Sequence, residues 1–274
     1  MSIRELIPRC AEGLPPGQLQ VRAFPRFSDN PLRPAPPSGP ITLTVSIDGD
    51  PIRTFSADDL GRLEQVDQVS DFHCVTTWTY RGARWGGVRF SELAATVFDG
   101  SMPAYLVAHA ADGMSAIYVT DDLDNDNVLL ATKLDDRPLD RRHGAPLRLV
   151  SPAQYGYKNL KHLVGLDFRN GEPPSTLGPK EHLRARVEAE ERHASLPNWA
   201  VKAQYRLSII PTALVAERTL RSSRQDGLAD RRGVVERLRC CVVEPAGLSG
   251  SLCRPCSGRP QPRPDRTRGV RRGD

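Results

Sequence analysis

Short runs of residues typical of β-strands, separated by turn signals, dominate residues 41–170 and constrain the fold most strongly. The first run, ITLTVSIDGDPIRTF, alternates on both sides of Asp48-Gly49, a dipeptide typical of a β-hairpin turn. Further segments that we interpret as strands follow at QVSDFHCVTTWTY, AYLVAHA, SAIYVT, LLATKL, PLRLVSP and HLVGLDFR. Because no long helical segment separates these runs, the pattern predicts an α+β domain of short strands with a few helices, and not a parallel βαβ sheet.

Two short helices and two turns complete the predicted elements of this region. SADDLGRLEQV begins with Ser56 and has Asp59 three residues later, which is the spacing of a helix cap. FSELAATVF has the apolar spacing of a helix that buries one face. We interpret RGARWGG, which contains three glycines, and YGYKNLK as turns.

The two ends of the chain differ in composition from the middle. We interpret residues 1–13 as an N-terminal lead, and the Pro- and Gly-rich stretch up to about residue 40 as an extended arm of a domain that covers residues 14–172. The charged residues 173–218 are predicted to form a helical extension. Residues 219–274 are rich in Arg and Pro and have little apolar periodicity, so we expect a disordered tail.

The net charge of +5 is unevenly distributed along the chain. Residues 221–274 contain 13 Arg and 6 acidic residues, a balance of +7, which leaves −2 for the rest. We therefore expect no nucleic-acid surface on the folded domain, and binding of nucleic acid through the basic tail is kept as an alternative. The sequence has no transmembrane run and no signal-peptide pattern, so we expect a cytoplasmic protein without a membrane partner.

Cys74 is the only cysteine between residues 11 and 239. An internal disulfide bond is therefore excluded for this part of the chain. The thiol is either a small buried core residue or a reactive or metal-binding group.

The neighbours of Cys74 favour the metal-binding interpretation. In DFHCVTTWTYRGARWGGVRFSEL, the cysteine is followed by Trp78 and then by Trp85, Gly87 and Phe90 in the pattern W-x-G-x-x-F. This segment resembles the molybdenum-cysteine segment of the sulfite oxidase family. We interpret the two tryptophans as core or pocket-wall residues.

A second segment, about 70 residues further on, carries a second resemblance to the same family. HGAPLRLVSPAQYGYKNLKHLVGLDF resembles the segment that binds the phosphate of the pterin. The matching positions are His143, Gly144, Pro146, Arg148, Pro152, Tyr155, Lys158 and Lys161. The resemblance extends over about residues 14–170, and it includes the order and the approximate spacing of the two motifs.

The resemblance implies a sulfite oxidase-type catalytic domain that binds the molybdenum–molybdopterin cofactor. Cys74 would be both the catalytic residue and the metal ligand, because the dithiolene of the cofactor supplies the other sulfurs and one soft thiolate suffices. The residues predicted to bind the cofactor are His143, Arg148, Asn159, Leu160 and Lys161. The two cations would hold the phosphate, the Asn159-Leu160 turn would offer N–H donors, and the histidine would bind the polar edge of the cofactor.

The family resemblance also implies the reaction, a two-electron oxygen-atom transfer to or from a small molecule of the sulfite, S-oxide or N-oxide class. We recognise no haem-binding segment, so we expect a separate electron donor or acceptor. Residues 75–78 are neutral where animal and plant sulfite oxidases have basic residues, and Met114 replaces a tyrosine of the family pattern. These departures put sulfite in doubt as the substrate. A pterin-binding homologue without turnover is the alternative.

Overall fold

Two mixed β-sheets form the framework of the part of the chain that the computed structural model describes, which is residues 9–22, 24, 39–178 and 181–207. In chain order the elements are β1 (Leu19–Val21), β2 (Thr42–Ile47), β3 (Asp50–Ser56), α1 (Ala57–Gly61), β4 (Gln65–His73), β5 (Trp78–Arg89), α2 (Phe90–Ala95), β6 (Tyr105–Ala110), β7 (Ser115–Val119), a 3-10 turn (Thr120–Asp122), β8 (Leu129–Leu134), β9 (Arg137–Pro138), β10 (Arg148–Val150), β11 (Leu163–Arg169) and α3 (residues 198–207). The predicted α+β class, with mostly short strands and few helices, is confirmed.

The first sheet is arranged around the long strand β5. Its order is β1-β5-β8-β10, with β4 paired to β5 and β9 paired to β8. Only β1 runs parallel to its neighbour, and the other pairs of this sheet are antiparallel. The second sheet has the order β3-β2-β11-β6-β7, in which β11 is parallel to β2 and the other pairs are antiparallel.

The Asp48-Gly49 turn and the Ser56 helix cap that the sequence predicts are confirmed. Asp48 and Gly49 both have positive φ, 49° and 92°, and they connect β2 to the antiparallel β3. Helix α1 begins with a capping box, in which the Asp59 N–H donates to Ser56 Oγ at 3.2 Å and the Ser56 N–H donates to Asp59 Oδ2 at 2.9 Å. Helix α2 buries Phe90 and Leu93, as its apolar spacing predicts.

Three sequence predictions are wrong or incomplete. Residues 81–87, predicted as a turn, lie inside strand β5. The charged segment at residues 180–194, predicted as helix, is irregular over residues 181–194, and within the described part of the extension helix is found at residues 198–207. The arm contains the short strand β1. Residues 1–8 of the predicted lead and the predicted tail, residues 219–274, lie outside the described residues.

The two larger hydrophobic clusters lie on the two faces of the first sheet. One cluster lies between the two sheets and helix α2, and it includes Leu43, Phe90, Leu130 and Leu166. The other lies on the opposite face of the first sheet, where Trp78 and Trp85 are buried. The interpretation of these tryptophans as core or pocket-wall residues agrees with this position. No helix of the described residues is long and apolar enough to cross a membrane.

Gly87 permits the close contact between β5 and β8 that joins this framework. A Cβ atom at this position would lie 2.2 Å from the Leu130 carbonyl oxygen and 2.8 Å from the Ala131 Cα atom. Because both are backbone atoms, they cannot rotate away. We expect Gly87→Ala to lower the free energy of unfolding by about 1–3 kcal/mol, the usual cost of overpacking, measured by denaturant unfolding.

Gly61→Ala is the matched control, since a Cβ atom at Gly61 would meet nothing within 4 Å. It should change the free energy of unfolding by less than about 1 kcal/mol. Equal effects of the two substitutions would show that β8 accommodates the methyl group.

Candidate cofactor-binding site

Cys74 lies in a tight turn that connects β4 to β5. The Cys74 N–H donates to the Trp78 carbonyl at 2.8 Å, and the Thr77 N–H donates to the Cys74 carbonyl at 3.1 Å. Thr77 is fully buried and has a φ of 73°. A left-handed backbone is costly for a β-branched residue, so the surrounding contacts must hold this turn in place.

The Cys74 thiol is partly buried and has polar neighbours in its own turn. Its Sγ atom lies 3.1 Å from Thr76 Oγ1, and a hydroxyl can donate to a thiolate at this distance. Burial raises the pKa of Cys74 above its ordinary value, while the Thr76 hydrogen bonds and the Arg192 cation act in the opposite direction. The apolar surroundings thus disfavour a free thiolate, and a coordinating metal ion is the kind of group that stabilises one.

A pocket of about 210 Å³ opens beside the Cys74 side chain. Its lining residues are Phe24, Phe72, Cys74, Val75, Trp78, Asp112, Met114, His143, Arg148, Gly156, Tyr157, Asn159, Leu160 and Lys161. All six residues predicted as metal ligand or cofactor contacts are in this list. The fold therefore brings together the two sequence motifs on which the prediction rests.

Direct contacts between the two motifs explain this convergence. The Gly156 N–H, in the loop between β10 and β11, donates to the His73 carbonyl at 2.7 Å, next to Cys74. A Cβ atom at Gly156 would lie 2.5 Å from the Phe72 ring, so only glycine allows the loop to approach this closely. His73 itself is buried and its Nδ1 atom lies 2.8 Å from Thr79 Oγ1, which indicates a structural role.

Arg148 is a buried cation in the wall of the pocket, with 1% of its surface exposed. Its Nη1 and Nη2 atoms donate to the carbonyls of His143 and Asn159, both at 2.9 Å. In the described part of the chain its Nε atom is buried without a hydrogen-bond partner. Burial lowers the pKa of Arg148 to about 9, so the side chain is charged at neutral pH and an anion would stabilise it.

Two loops that interlock place His143 and Lys161 beside Arg148. The Lys161 ammonium donates to the Arg142 carbonyl at 2.7 Å, and His143 Nδ1 lies 2.9 Å from Asp140 Oδ1. Gly144 has a φ of 103°, and a Cβ atom there would lie 2.9 Å from the Lys161 Cβ atom. Glycine is required because the loop adopts a left-handed conformation where it packs against the lysine.

Asn159 and Leu160 also line the pocket, but their N–H groups already donate within the loop. The Asn159 N–H donates to the Gly156 carbonyl at 3.2 Å, and the Leu160 N–H donates to the Lys158 carbonyl at 3.0 Å. The Asn159 side chain accepts a hydrogen bond from the Ser151 N–H at 2.8 Å. Both residues thus shape the loop, and their role as donors to a phosphate stays a prediction.

The sequence motifs do not predict several of the residues that line the pocket. Phe24, from the arm, packs on Phe72 and Tyr80 with ring centroids at 4.8 and 4.9 Å, and it closes one side of the pocket. Asp112 and Tyr157 were also missed. No periodicity marks a single aromatic residue in a Pro-rich arm. Tyr157 lies inside the second motif, at a position that the family pattern leaves open.

The donor set fits molybdopterin. The partly buried Cys74 thiol lies in the lining of the pocket. The same lining includes the Arg148 guanidinium, whose Nε atom has no hydrogen-bond partner among the described residues, and the Lys161 ammonium. Apolar and aromatic side chains line the walls, among them Phe72, Val75 and Trp78. This combination suits a cofactor that has a metal, a flat ring system and a phosphate. In the described residues, no group of three or more His, Cys, Asp or Glu side chains could hold a metal ion.

The part of the chain that contains most of this site matches a known protein family. Residues 34–177, more than half of the chain, match the family of the oxidoreductase molybdopterin binding domain. The chain therefore belongs to this family, and the resemblance to the sulfite oxidase type is confirmed.

Similar proteins include two bacterial relatives. The uncharacterized oxidoreductase YuiH of Bacillus subtilis (strain 168) is 32% identical over 120 residues, which are 44% of this chain and 61% of that protein. The protein-methionine-sulfoxide reductase catalytic subunit MsrP of Xanthomonas campestris pv. campestris is 37% identical over 94 residues, which are 33% of this chain and 28% of that protein. The chain thus spans less than two thirds of each relative.

Among solved structures, the sulfane dehydrogenase SoxCD from Paracoccus pantotrophus is similar, with 19% sequence identity and a TM-score of 0.44. The similar region covers 50% of this chain and 41% of that chain.

Proposed function

We propose that this protein is a molybdopterin-dependent oxidoreductase that catalyses a two-electron oxygen-atom transfer, with Cys74 as the protein ligand of the molybdenum. The observation that carries the proposal is the pocket in which Cys74 lies together with Arg148 and Lys161, although the chain separates them by about 70–90 residues. Among the described residues Arg148 has no carboxylate partner, and a buried cation without a counter-ion is costly unless a ligand compensates it. The phosphate of a pterin would supply that anion.

The residues of the site would have three roles, which are to bind the metal, to hold the phosphate and to shape the pocket. Cys74 would ligate the metal, and the Thr76 hydroxyl would donate to its sulfur. Arg148 and Lys161 would neutralise the phosphate, with His143 at the polar edge of the cofactor. The bound cofactor would supply the two-electron redox chemistry, and the protein would orient it and shape the substrate entry.

We propose a neutral sulfoxide or N-oxide, and not sulfite, as the substrate. The side chains that line the pocket include Val75, Phe24 and Met114, which are apolar, and Asp112, whose carboxylate would disfavour an anionic substrate beside it. A polar but uncharged S–O or N–O group on an apolar body suits such a wall. The Xanthomonas relative, named as a protein-methionine-sulfoxide reductase subunit, supports a sulfoxide. Electrons would come from a separate donor.

Cofactor binding can be tested at Arg148 and Lys161, the two cations proposed to hold the phosphate. We expect Arg148→Gln combined with Lys161→Gln to lower the molybdenum and pterin content per chain at least about tenfold, because loss of supporting contacts typically weakens metal sites 10–100-fold. The measurement is metal and pterin analysis of protein purified from a host that makes the cofactor. Its control is Arg84→Gln with Lys133→Gln, which removes two charges from exposed positions. Equal cofactor contents in the two double variants would contradict the proposed phosphate site.

A further inference from the structure

Arg192 contacts the Cys74 turn from a segment that lies far away in the sequence. Its Nη1 atom donates to the Val75 carbonyl at 2.9 Å, and its Nη2 atom donates to the Pro16 carbonyl at 3.2 Å. The guanidinium lies over the Tyr155 ring, 4.8 Å from the centroid. Arg192 is completely buried. An arginine of the irregular segment at residues 181–194 therefore connects the turn, the arm and the loop of the second motif.

The arm holds the same turn from another side. Gln18 Nε2 donates to the Cys74 carbonyl at 3.2 Å, and the Leu19 N–H donates to the Thr77 carbonyl at 3.0 Å. Gly17, with a φ of 69°, makes room for this arrangement, since a Cβ atom there would lie 3.1 Å from Arg192 Nη2. The backbone around Cys74 is thus fixed by hydrogen bonds from two segments at once.

Both supporting segments lie outside residues 34–177, the part of the chain that matches the family. Arg192 does not line the pocket, so it has no direct access to a bound substrate there. We infer that Arg192 is a positioning residue, which fixes the direction of the Cys74 sulfur through the Val75 carbonyl. The site is then completed by residues that the shared domain does not contain. This inference rests on the proposed function insofar as Cys74 is the metal ligand.

Geometry explains why an arginine occupies this place. A guanidinium is planar and presents its N–H donors in fixed directions, so it can hold two carbonyls at a set separation. A lysine has the charge but a single ammonium at the end of a flexible chain. Glu190, whose Oε1 atom lies 3.7 Å from Arg192 Nη2, partly balances the buried charge. Small displacements of a ligand can strongly affect a metal site, because catalysis requires the reacting groups within a fraction of an ångström.

The test compares Arg192→Gln and Arg192→Lys with Arg186→Gln. Arg186 belongs to the same segment, but its guanidinium pairs with Glu191 and is half-exposed. In the cofactor-free proteins, hydrogen exchange is measured by mass spectrometry for a peptide covering residues 73–78, with residues 163–169 as an internal reference. In the cofactor-loaded proteins, the thiolate-to-metal absorption band, kcat and KM are measured.

We expect both Arg192 variants to fold, with exchange in the turn at least tenfold faster than in the wild type and unchanged exchange in β11. The absorption band should shift, and kcat should fall more than KM rises. Arg192→Lys should recover less than half of the lost kcat, and Arg186→Gln should behave like the wild type. Unchanged turn exchange, full rescue by lysine or failure of both variants to fold would overturn the positioning role. If exchange changes but no molybdenum binds in the wild type, the proposed function fails and the support of the turn stands.

Discussion

Replacement of Cys74 by serine should abolish turnover while the protein remains folded. Loss of supporting contacts around a metal typically costs 10–100-fold, so loss of the ligand itself should reduce kcat by at least about 100-fold. Serine is close in size, and apart from the contact with Thr76 Oγ1 the hydrogen bonds of Cys74 use its backbone atoms, so the thermal midpoint should change little. The measurements are kcat with a panel of sulfite, sulfoxides and N-oxides, and the thiolate-to-metal absorption band, which should disappear.

Cys10→Ser is the matched control, because Cys10 is exposed and does not line the pocket. It should retain the kcat and the absorption band of the wild type. A Cys74→Ser protein that keeps both properties would show that the metal ligand is another residue. A protein that retains the pterin but shows no activity with any of these substrates, even as wild type, would favour the non-catalytic alternative.

Replacement of Glu181 by alanine should produce a large loss of stability. Glu181 and Lys158 form an ion pair at 3.0 Å, and both side chains are fully buried. The same carboxylate accepts hydrogen bonds from the N–H of Ile117 at 3.2 Å and of Thr176 at 2.9 Å. Because the substitution leaves Lys158 buried without its counter-ion, we expect the free energy of unfolding to fall by about 3–5 kcal/mol, measured by denaturant unfolding at pH 7.

Arg84→Ala is the control for this experiment, since Arg84 and its partner Asp136 are each 60% exposed. Its effect should stay below about 1 kcal/mol. A loss of similar size for Glu181→Ala would mean that Lys158 reaches water or another partner.

The same ion pair predicts how stability depends on pH. Burial alone would raise the pKa of Glu181, but Lys158 and the hydrogen-bond donors outweigh it and hold the pKa below its ordinary value of 4.5. The ionised carboxylate therefore stabilises the fold above about pH 4.5, and this stabilisation is lost as the pH falls below that value. Glu181→Gln should lose less stability than the wild type between pH 5 and pH 3, when both are followed by denaturant unfolding.

The sequence predicts those parts of the fold whose signals are local. The Asp48-Gly49 hairpin and the Ser56 cap depend on a few neighbouring residues, and both are found. The residues of the candidate site could also be predicted from the sequence, because Cys74 and Arg148 lie in two motifs whose order and approximate spacing resemble those of the family. Their common pocket shows that these motifs meet, and the pterin-binding roles of the individual residues stay predictions.

The wrong predictions share one physical cause. Contacts between residues that are far apart in the sequence override the local preference for a helix or a turn. Residues 180–194 are rich in Glu, Arg and Ala and favour a helix. In the fold, however, Glu181 is buried against Lys158, and Arg192 extends to the carbonyls of Pro16 and Val75. The glycines of residues 81–87 led to the prediction of a turn where the structure has a strand. Gly87 allows a close contact between β5 and β8 and does not form a turn, and a single sequence does not distinguish these two uses of glycine.

The support of the Cys74 turn also determines when in folding this turn can form. Its contacts with Gln18 and Arg192 close chain separations of 56 and 117 residues, and the contact of Arg192 with Pro16 closes 176. Bringing such distant residues together lowers the conformational entropy of the chain before the contact adds stability. These contacts are therefore expected to form later than those of hairpins such as β2-β3. We therefore expect the Cys74 turn to be among the last parts of the described chain to acquire its native geometry. During synthesis, it is incomplete until the segment around residue 192 has emerged.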